Sequence, residues 1–533
     1  MPTRVAILAH VVTTPTSLPV PSSGKARASV LQLYNYTRVL TEDQRLVDHV
    51  TYLKEELGLA PSEAFSVWEM YLCSGLLLAS HLERHGIEAF LVNYVDSENL
   101  EDKCLALQAF DPDIVVLSTT FILTKKHLVE AGWLIRRWVP RAFVVAGGHH
   151  VYTTLMYMDD VQQRRYLLES QLDAFVNDVQ GEGALLDLAR AWPKGLTQIP
   201  NLIWRDADGT VHMNERTAEQ NDVNATPLEF ERLKPGSVIH MRTARSCAFK
   251  CAFCSYPTIA GKLALMELEN ALATIRRAKD AGVSAVFFVD DTFNVPRERF
   301  ERLIDLMIER GLEIPWYSFL RCQFVDGPLV EKMRRSGCQG VFLGIESGSD
   351  RILANMNKGS ATTYYGPGIR WLRDQGIITV GAFIIGFPGE TKETAEETET
   401  FITRSGLDFY FLQPFYYLHH TPIHQRAAQY QLRGQGLNWS HATMNAAEAS
   451  RLLDQMFMRI EEPVAVNPDY TLWEVAYLLH KGLDMPRIRD YRRRINRMTV
   501  NQMQRKGGSL NVVTSQGLEE APSWVAQVRG SDG

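Results

Sequence analysis

The stretch SVIHMRTARSCAFKCAFCSYP, residues 237–257, decides how this chain is read. Its first seven residues have the apolar, β-branched character of a buried strand. The loop that follows carries Cys247, Cys251 and Cys254, three of the chain's seven cysteines, spaced Cys-x3-Cys-x2-Cys. A structural zinc ion wants four closed ligands, and the next cysteine, Cys322, lies far downstream, so zinc would need a distant histidine. An iron–sulfur cube ordinarily takes four thiolates; three leave one iron open to bind and activate a substrate. Cys73, Cys104, Cys322 and Cys338 are scattered and the total is odd, so nothing points to a disulfide framework.

Downstream of the loop, strands are expected at AVFFVDD, IPWYSFLRC, GVFLGIES, TVGAFIIG and FYFLQPFYY, separated by amphipathic helices such as RERFERLIDLMIERG and TKETAEETETFITRSG. With the strand before the cysteines these make six successive strand–helix units, the pattern of a barrel or part of one, with chemistry at the carboxyl ends of the strands. Upstream, residues 71–148 alternate in the same way through EAFLVNYV, DIVVLSTTF and AFVVAGG, which implies a parallel sheet covered on both faces. Ligands in such sheets lie where LSTTF and AGGHH end. A further strand–helix unit, DAFVNDVQGEGALLDLARAW, precedes a hairpin, NLIWRDADGTVHMN, with an Asp-Gly turn. The chain is therefore read as α/β in four parts. These are a Rossmann-like domain over 1–214, a polar linker over 215–236, a partial (β/α)6 barrel over 237–425 and a mainly helical region over 426–533 that ends in a frayed tail.

At 533 residues and 45% hydrophobic content the chain can bury two or three cores. A net charge of -6 provides no broad basic field for nucleic acid. The one basic run, RIRDYRRRINR (487–497), reads as a solvated helix face. No run approaches the ~20 apolar residues of a membrane span. The opening MPTRVAILAHVVTTPTS has a short apolar run that carries His10, and it reads as a buried first strand of a cytosolic protein.

The cysteine spacing, with Phe253 just before the third cysteine, resembles the signature of the radical S-adenosylmethionine (SAM) superfamily. The resemblance implies a 4Fe-4S cluster on Cys247, Cys251 and Cys254, whose open iron chelates SAM and cleaves it to a 5′-deoxyadenosyl radical. It continues in order along the predicted barrel. FFVDDTFN (287–294) offers Asp290 and Asp291 to the methionine moiety, GIESGSD (344–350) offers Glu346 and Ser347 to ribose and methionine, and GAFIIGFPGET (381–391) places Gly386 and Gly389 near the adenine. Each also has a plainer reading: a helix cap for Asp291, a strand-end turn for Glu346 and Ser347, and a turn into a capped helix for the glycines.

A Rossmann-like domain ahead of such a barrel looks like the cobalamin-binding domain of the B12-dependent branch. FDPDIVVLSTTF (110–121) and AFVVAGGHH (142–150) carry that match, and it implies that Ser118, Thr119, Gly147 and Gly148 line the cobalamin site. The Asp-x-His-x-x-Gly motif that supplies a cobalt ligand in some cobalamin proteins is absent, as is usual in this branch, where the resemblance implies cobalamin bound with its own base displaced and no protein histidine on cobalt; the lower axial position is left undetermined, and His149 and His150 read as structural. Together the modules imply methylation of a carbon or phosphorus that cannot act as a nucleophile. One SAM would methylate cobalamin and a second would provide the radical. Residues 416–449, with Tyr416, His419, His420 and Trp439, resemble a segment shared within this branch. The nearest resemblance is to the P-methyltransferases of phosphinothricin-type antibiotic biosynthesis, whose acceptor is a phosphinate P–H group. Arg242, Arg245 and Arg321 are the arginines near predicted strands that would suit a phosphinate, with ordinary salt bridges as their other reading.

The competing readings are a C-methyltransferase on a natural-product carbon and a tetrapyrrole-type oxidative cyclase. A methylthiotransferase would need three more cluster cysteines, and a carrier would not need the barrel motifs. The implied partners are a small-molecule substrate and a reductant such as flavodoxin or ferredoxin, with no nucleic acid and no membrane. No catalytic side chain is singled out.

Overall fold

A computed structural model describes residues 3–12, 38–41, 45–60, 65–96, 98–122, 124–466 and 471–505. The chain forms two compact units. The first holds the N-terminal strand and Trp68–His240; the second holds Met241 onward together with the described residues between 38 and 67.

In the first unit five parallel strands stand in the order Glu88–Val92, Arg4–Leu8, Ile114–Ser118, Phe143–Gly147 and Ala174–Val176. The antiparallel hairpin Leu202–Arg205 and Val211–Met213 extends the edge. Every residue of Ile114–Ser118 is buried. A central parallel strand is covered on both faces and must be apolar throughout, which is why it reads as an unbroken run. Val115, Leu117 and Val144 pack with Leu128 and Ile135 on one face. Val116 and Val145 pack with Leu185 and Leu188 on the other. Numbered along the chain the parallel order is 2-1-3-4-5, so the connections reverse direction between the first strand and the third.

The stretch expected to be a linker belongs to this unit. Its few apolar residues, Val223, Leu228, Phe230 and Leu233, are buried. The Glu219 carboxylate accepts from the Gly183 and Ala184 amides at 2.9 and 2.8 Å, at the start of the helix Glu182–Ala191. A polar composition hid these anchors.

A second sheet, whose strands from Met241 onward lie in the second unit, runs in the order Val238–Met241, Ala285–Phe288, Trp316–Leu320, Cys338–Glu346, Ile378–Ile385, Phe409–Pro414 and Val464–Ala465. Its recorded pairings, from Ala285–Phe288 onward, are parallel. The six expected strands are present; the seventh is two residues long, too short to leave a pattern. The division also departs from the expected boundaries at both ends. Tyr491, on the helix Met485–Arg505, donates its hydroxyl to the His49 carbonyl at 3.2 Å, and Ser66 donates its amide to the Tyr477 hydroxyl at 2.9 Å. The described residues between 38 and 67 thus belong with the C-terminal helices, although sequence adjacency assigned them to the first domain. The basic run lies on that same helix, where Arg489, Arg493 and Arg494 pair with Asp408, Glu462 and Glu56. The tail beyond 505 lies outside the described residues. Among those described, no helix is long and apolar enough to cross a membrane.

Gly337 joins the helix Gly327–Arg335 to the strand Cys338–Glu346 with φ +108°, and a β-carbon there would overlap the Ile314 carbonyl. Gly376 also has positive φ (+68°) but open space around it. Gly337→Ala should therefore cost about 2–3 kcal/mol and Gly376→Ala only about 1 kcal/mol. Denaturant midpoints of the full chain check the difference; equal losses would refute the steric account.

Candidate active site

The cysteine loop leaves the strand Val238–Met241 and is shaped by its own hydrogen bonds. Ser246 sits in the left-handed region (φ 71°) and donates its hydroxyl to the Gly261 carbonyl at 2.6 Å. The Ala252 amide reaches the Met356 carbonyl at 2.7 Å, and the Ala252 carbonyl accepts from Ile423 at 2.9 Å. Asn357 holds the Lys250 carbonyl at 2.9 Å. Cys251 is buried, and Cys247 and Cys254 are half-buried.

Arg321, just past the strand Trp316–Leu320, is buried against this loop. Its Nη2 donates to Cys251 Sγ at 2.8 Å and its Nη1 to the Lys358 carbonyl at 2.6 Å, and the guanidinium lies 3.5 Å from the centre of the Phe249 ring. It is therefore a ligand-loop anchor and is not free to clamp a phosphinate. Lys358 in turn pairs with Glu346 at 2.8 Å, both side chains nearly sealed from water, and its Nζ stands 5.8 Å from the Phe253 ring. Glu346 lies at an irregularity in the pairing of its strand and has φ 71°, uncommon outside glycine. A β-carbon on Gly344 would come within 2.7 Å of the Glu346 carboxylate, so glycine there makes room for the pair. Lone charged residues such as Arg321 and Lys358 leave no spacing signal that would have assigned them these roles.

The other expected SAM residues divide by how much of their polar capacity is already used. Asp290 accepts from the Thr243 amide and hydroxyl, both at 2.6 Å, and from the Ala244 amide at 2.8 Å. It pins the exit of the first barrel strand. Asp291 is exposed at its tip, yet enclosure by the surrounding protein and the Asp290 charge push its pKa up to about 7. Asp291 does not cap the next helix: Arg297–Glu309 begins after Pro296 with no side-chain cap. Thr292, next in line, places its hydroxyl 3.5 Å from Cys247 Sγ. Ser347 is fully buried, with its hydroxyl shared by Thr398 at 3.1 Å and the Ser349 amide at 3.1 Å. Phe253 meets Phe387 edge-on at 6.5 Å.

Gly386 and Gly389 both have φ +93°, and β-carbons there would strike the Trp439 ring and the Asn355 amide. They form the turn into the helix Lys392–Arg404, which Thr391 caps. Trp439 is itself core, donating to the Phe415 carbonyl at 2.7 Å, whereas Tyr416 is about half exposed. His419 Nε2 lies 3.0 Å from the Gly434 carbonyl, and His420 is partnered as well.

In the first unit, Ser118, Thr119, Gly147 and Gly148 do come together at adjacent strand ends. Thr119 is buried and donates its hydroxyl to the Gly147 carbonyl at 2.8 Å, so it ties two strands together. Ser118 bonds Thr120 at 3.2 Å. Gly148 takes φ +104° where the chain turns into the helix His149–Leu155.

No three His, Cys, Asp or Glu side chains among the described residues converge closely enough to hold a single ion. A zinc ion would need such convergence, with every ligand about 2.0–2.3 Å from one point. A cube places each sulfur on a different iron, so three thiols spread over one preformed loop fit that group better.

The Radical SAM superfamily matches residues 241–402. An uncharacterized methyltransferase of Pyrococcus horikoshii is 27% identical over 343 residues, 61% of this chain and 72% of that protein. The anaerobic magnesium-protoporphyrin IX monomethyl ester cyclase of Cereibacter sphaeroides is 28% identical over 351 residues, 62% of this chain but only 55% of its own length. Among solved structures, the radical S-adenosylmethionine methyltransferase TsrM from Kitasatospora setae, with cobalamin and a 4Fe-4S cluster bound, has a TM-score of 0.56 at 16% identity, covering 84% of this chain and 81% of that one. This last likeness is one of fold.

Glu390, at the end of the glycine turn, is completely buried; one carboxyl oxygen takes the Gly386 amide and the other has no partner. Burial pushes its pKa up to about 8. The folded chain therefore keeps a proton that the unfolded chain releases near pH 4.5. Between those values the unfolded state binds fewer protons, so stability should fall as pH rises, by at most about 1.4 kcal/mol per pH unit from this group. Glu390→Gln should remove that slope in denaturant midpoints measured across pH 5–8. Parallel curves for the two proteins would refute a protonated, buried carboxyl.

Proposed function

We propose, from the premise that residues 241–402 are a radical SAM domain, that this enzyme is a cobalamin-dependent methyltransferase acting on a centre that cannot act as a nucleophile. The observation that carries the reading is the pairing, in one chain, of a three-cysteine loop at the end of a barrel strand with a 2-1-3-4-5 parallel sheet. That sheet gathers Ser118, Thr119, Gly147 and Gly148 at its carboxyl ends. The fold likeness to TsrM, a methyltransferase with both cofactors bound, supports it. The cyclase relative is matched over little more than half its length, which leaves methylation the better-supported reading.

When bound, the cluster with SAM supplies a radical and methylcobalamin supplies the methyl group. The chain's own residues do the positioning. Cys247, Cys251 and Cys254 hold the cluster, and Arg321 donates to one of its sulfurs. Phe253, Asp291 and Glu346 face SAM, Glu346 being oriented by Lys358. Asp290, Ser347, Gly386 and Gly389 set the strand ends that carry those contacts. In the first unit Ser118, Gly147 and Gly148 border cobalamin, and Thr119 fixes the two strands that present them.

The acceptor we assign is a phosphinate P–H group, on the chain's resemblance to the P-methyltransferases within this branch, with Tyr416 as the exposed aromatic of the branch-wide segment 416–449. Methylation of a natural-product carbon uses the same cofactors and is the second reading. A flavodoxin- or ferredoxin-type protein supplies the electron.

Reconstituted protein given SAM, hydroxocobalamin and a reductant should hold about four irons and bound cobalamin, and should release 5′-deoxyadenosine together with S-adenosylhomocysteine. Deoxyadenosine without the homocysteine product would overturn methylation. Cys251→Ala should lose both iron and SAM cleavage while keeping its helical circular dichroism; retained cleavage would refute the cluster assignment. With a P–H phosphinate as substrate, phosphorus NMR should show a new P–CH3 signal. Turnover on carbon acceptors alone would move the assignment to the second reading.

A further inference from the structure

Arg321 is only 4% exposed, and among the described residues no carboxylate pairs with it. Glu346, on the strand beside it, is taken by Lys358. A guanidinium keeps its proton in any protein environment, so a full positive charge lies out of water here without a paired counter-charge. Buried charges are ordinarily paired, because losing water is costly for an ion. The Phe249 ring at 3.5 Å and the Lys358 carbonyl at 2.6 Å offset part of that cost, yet neither carries a charge.

Holding the loop does not account for the cation. The Ala252 amide and carbonyl and the Lys250 carbonyl already fix the loop's main chain. A neutral amide side chain could donate to the Lys358 carbonyl without burying a charge. The guanidinium is also placed in advance. Asn294, fully buried, brackets the Arg321 main chain: its Oδ1 accepts from the Arg321 amide at 3.1 Å and its Nδ2 donates to the Arg321 carbonyl at 2.9 Å. The Lys358 carbonyl then aims the side chain, which leaves Nη2 on Cys251 Sγ at 2.8 Å. Among the described residues this is the one ligand sulfur that meets a cation. Cys247 meets the Thr292 hydroxyl at 3.5 Å, and Cys254 the Tyr256 backbone.

We propose that Arg321 is the built-in counter-cation of the iron–sulfur cluster and raises its reduction potential. The proposal rests on the cluster assignment above. Reduction moves one electron from a one-electron donor, which is oxidised, to a cluster that three thiolates make anionic. No bond forms or breaks, no proton moves, and the guanidinium stays cationic throughout. A fixed cation at a ligand sulfur favours the reduced form, both through its charge and through a hydrogen bond that strengthens as the sulfur gains electron density. A buried pair is screened little by salt. Arg321 acts through Cys251, as a positioning residue, and brings the cluster within reach of a weaker donor.

The test is a redox titration of the reconstituted full-length protein without SAM, following the reduced cluster by electron paramagnetic resonance. Arg321→Met should lower the midpoint potential by about 59 mV or more, a tenfold loss in the reduced-to-oxidised ratio at a fixed potential. Arg321→Lys, which keeps a cation, should fall by less than half as much. Asn357→Ala frees the loop at Lys250 but leaves the cation, and should keep the wild-type potential. An unchanged midpoint in Arg321→Met overturns the proposal, as does an equal fall in Asn357→Ala. If Arg321→Met takes up no iron, wild-type protein carrying nitrogen-15 arginine decides. Pulsed resonance of its reduced cluster should show a weakly coupled nitrogen that shifts with the label, and a spectrum unchanged by the label overturns the proposal. Wild-type protein that takes up no iron sinks the cluster assignment itself, an outcome distinct from a cluster whose potential ignores Arg321.

Discussion

The second unit is organised around one buried cation. A guanidinium out of water is tolerated only where its donors and its flat face are satisfied, and Arg321 meets that demand with a cysteine sulfur, a backbone carbonyl and an aromatic ring. Those three partners come from two parts of the chain: the cysteine loop, through Cys251 and Phe249, and the turn at Lys358. The carbonyl belongs to the lysine that neutralises Glu346. A strand end, a bulged strand and a loop are thereby locked into one polar knot within an otherwise apolar barrel. Moving any one member would leave a buried charge unpaired, so the knot fixes where the cysteines stand.

The first unit solves a related problem differently. Its strand ends spend their polar groups on each other, Thr119 on Gly147 and Ser118 on Thr120, which ties the third and fourth parallel strands together. What stays unspent are imidazoles held neutral by burial.

Much of this was legible in the sequence for identifiable reasons. Ile114–Ser118 and Ile378–Ile385 are buried along their whole length, so their continuous apolar runs announced parallel strands. Three cysteines on one short loop have few structural explanations. The illegible parts share a physical cause, which is that their partners are distant in sequence. Tyr491 reaches His49, Ser66 reaches Tyr477, and Arg321 reaches Cys251, none of which leaves a periodic trace. Residue type alone does not separate two roles here. Asp290 and Ser347 are polar residues at strand ends, as a ligand would want, and their hydrogen bonds also staple those strand ends. The glycines of GFPG make room for Trp439 and Asn355, and backbone conformation alone would not have revealed that.

The loop's chemistry follows from the same geometry. Burial pushes the Cys254 thiol up to about 12, and the proximity of Cys251, Asp291 and Cys247 adds to that. Without a metal this sulfur keeps its proton at neutral pH, and iron must displace it on binding. The loop's main chain, however, is held from outside by the Met356 carbonyl, the Ile423 amide and the side-chain amide of Asn357.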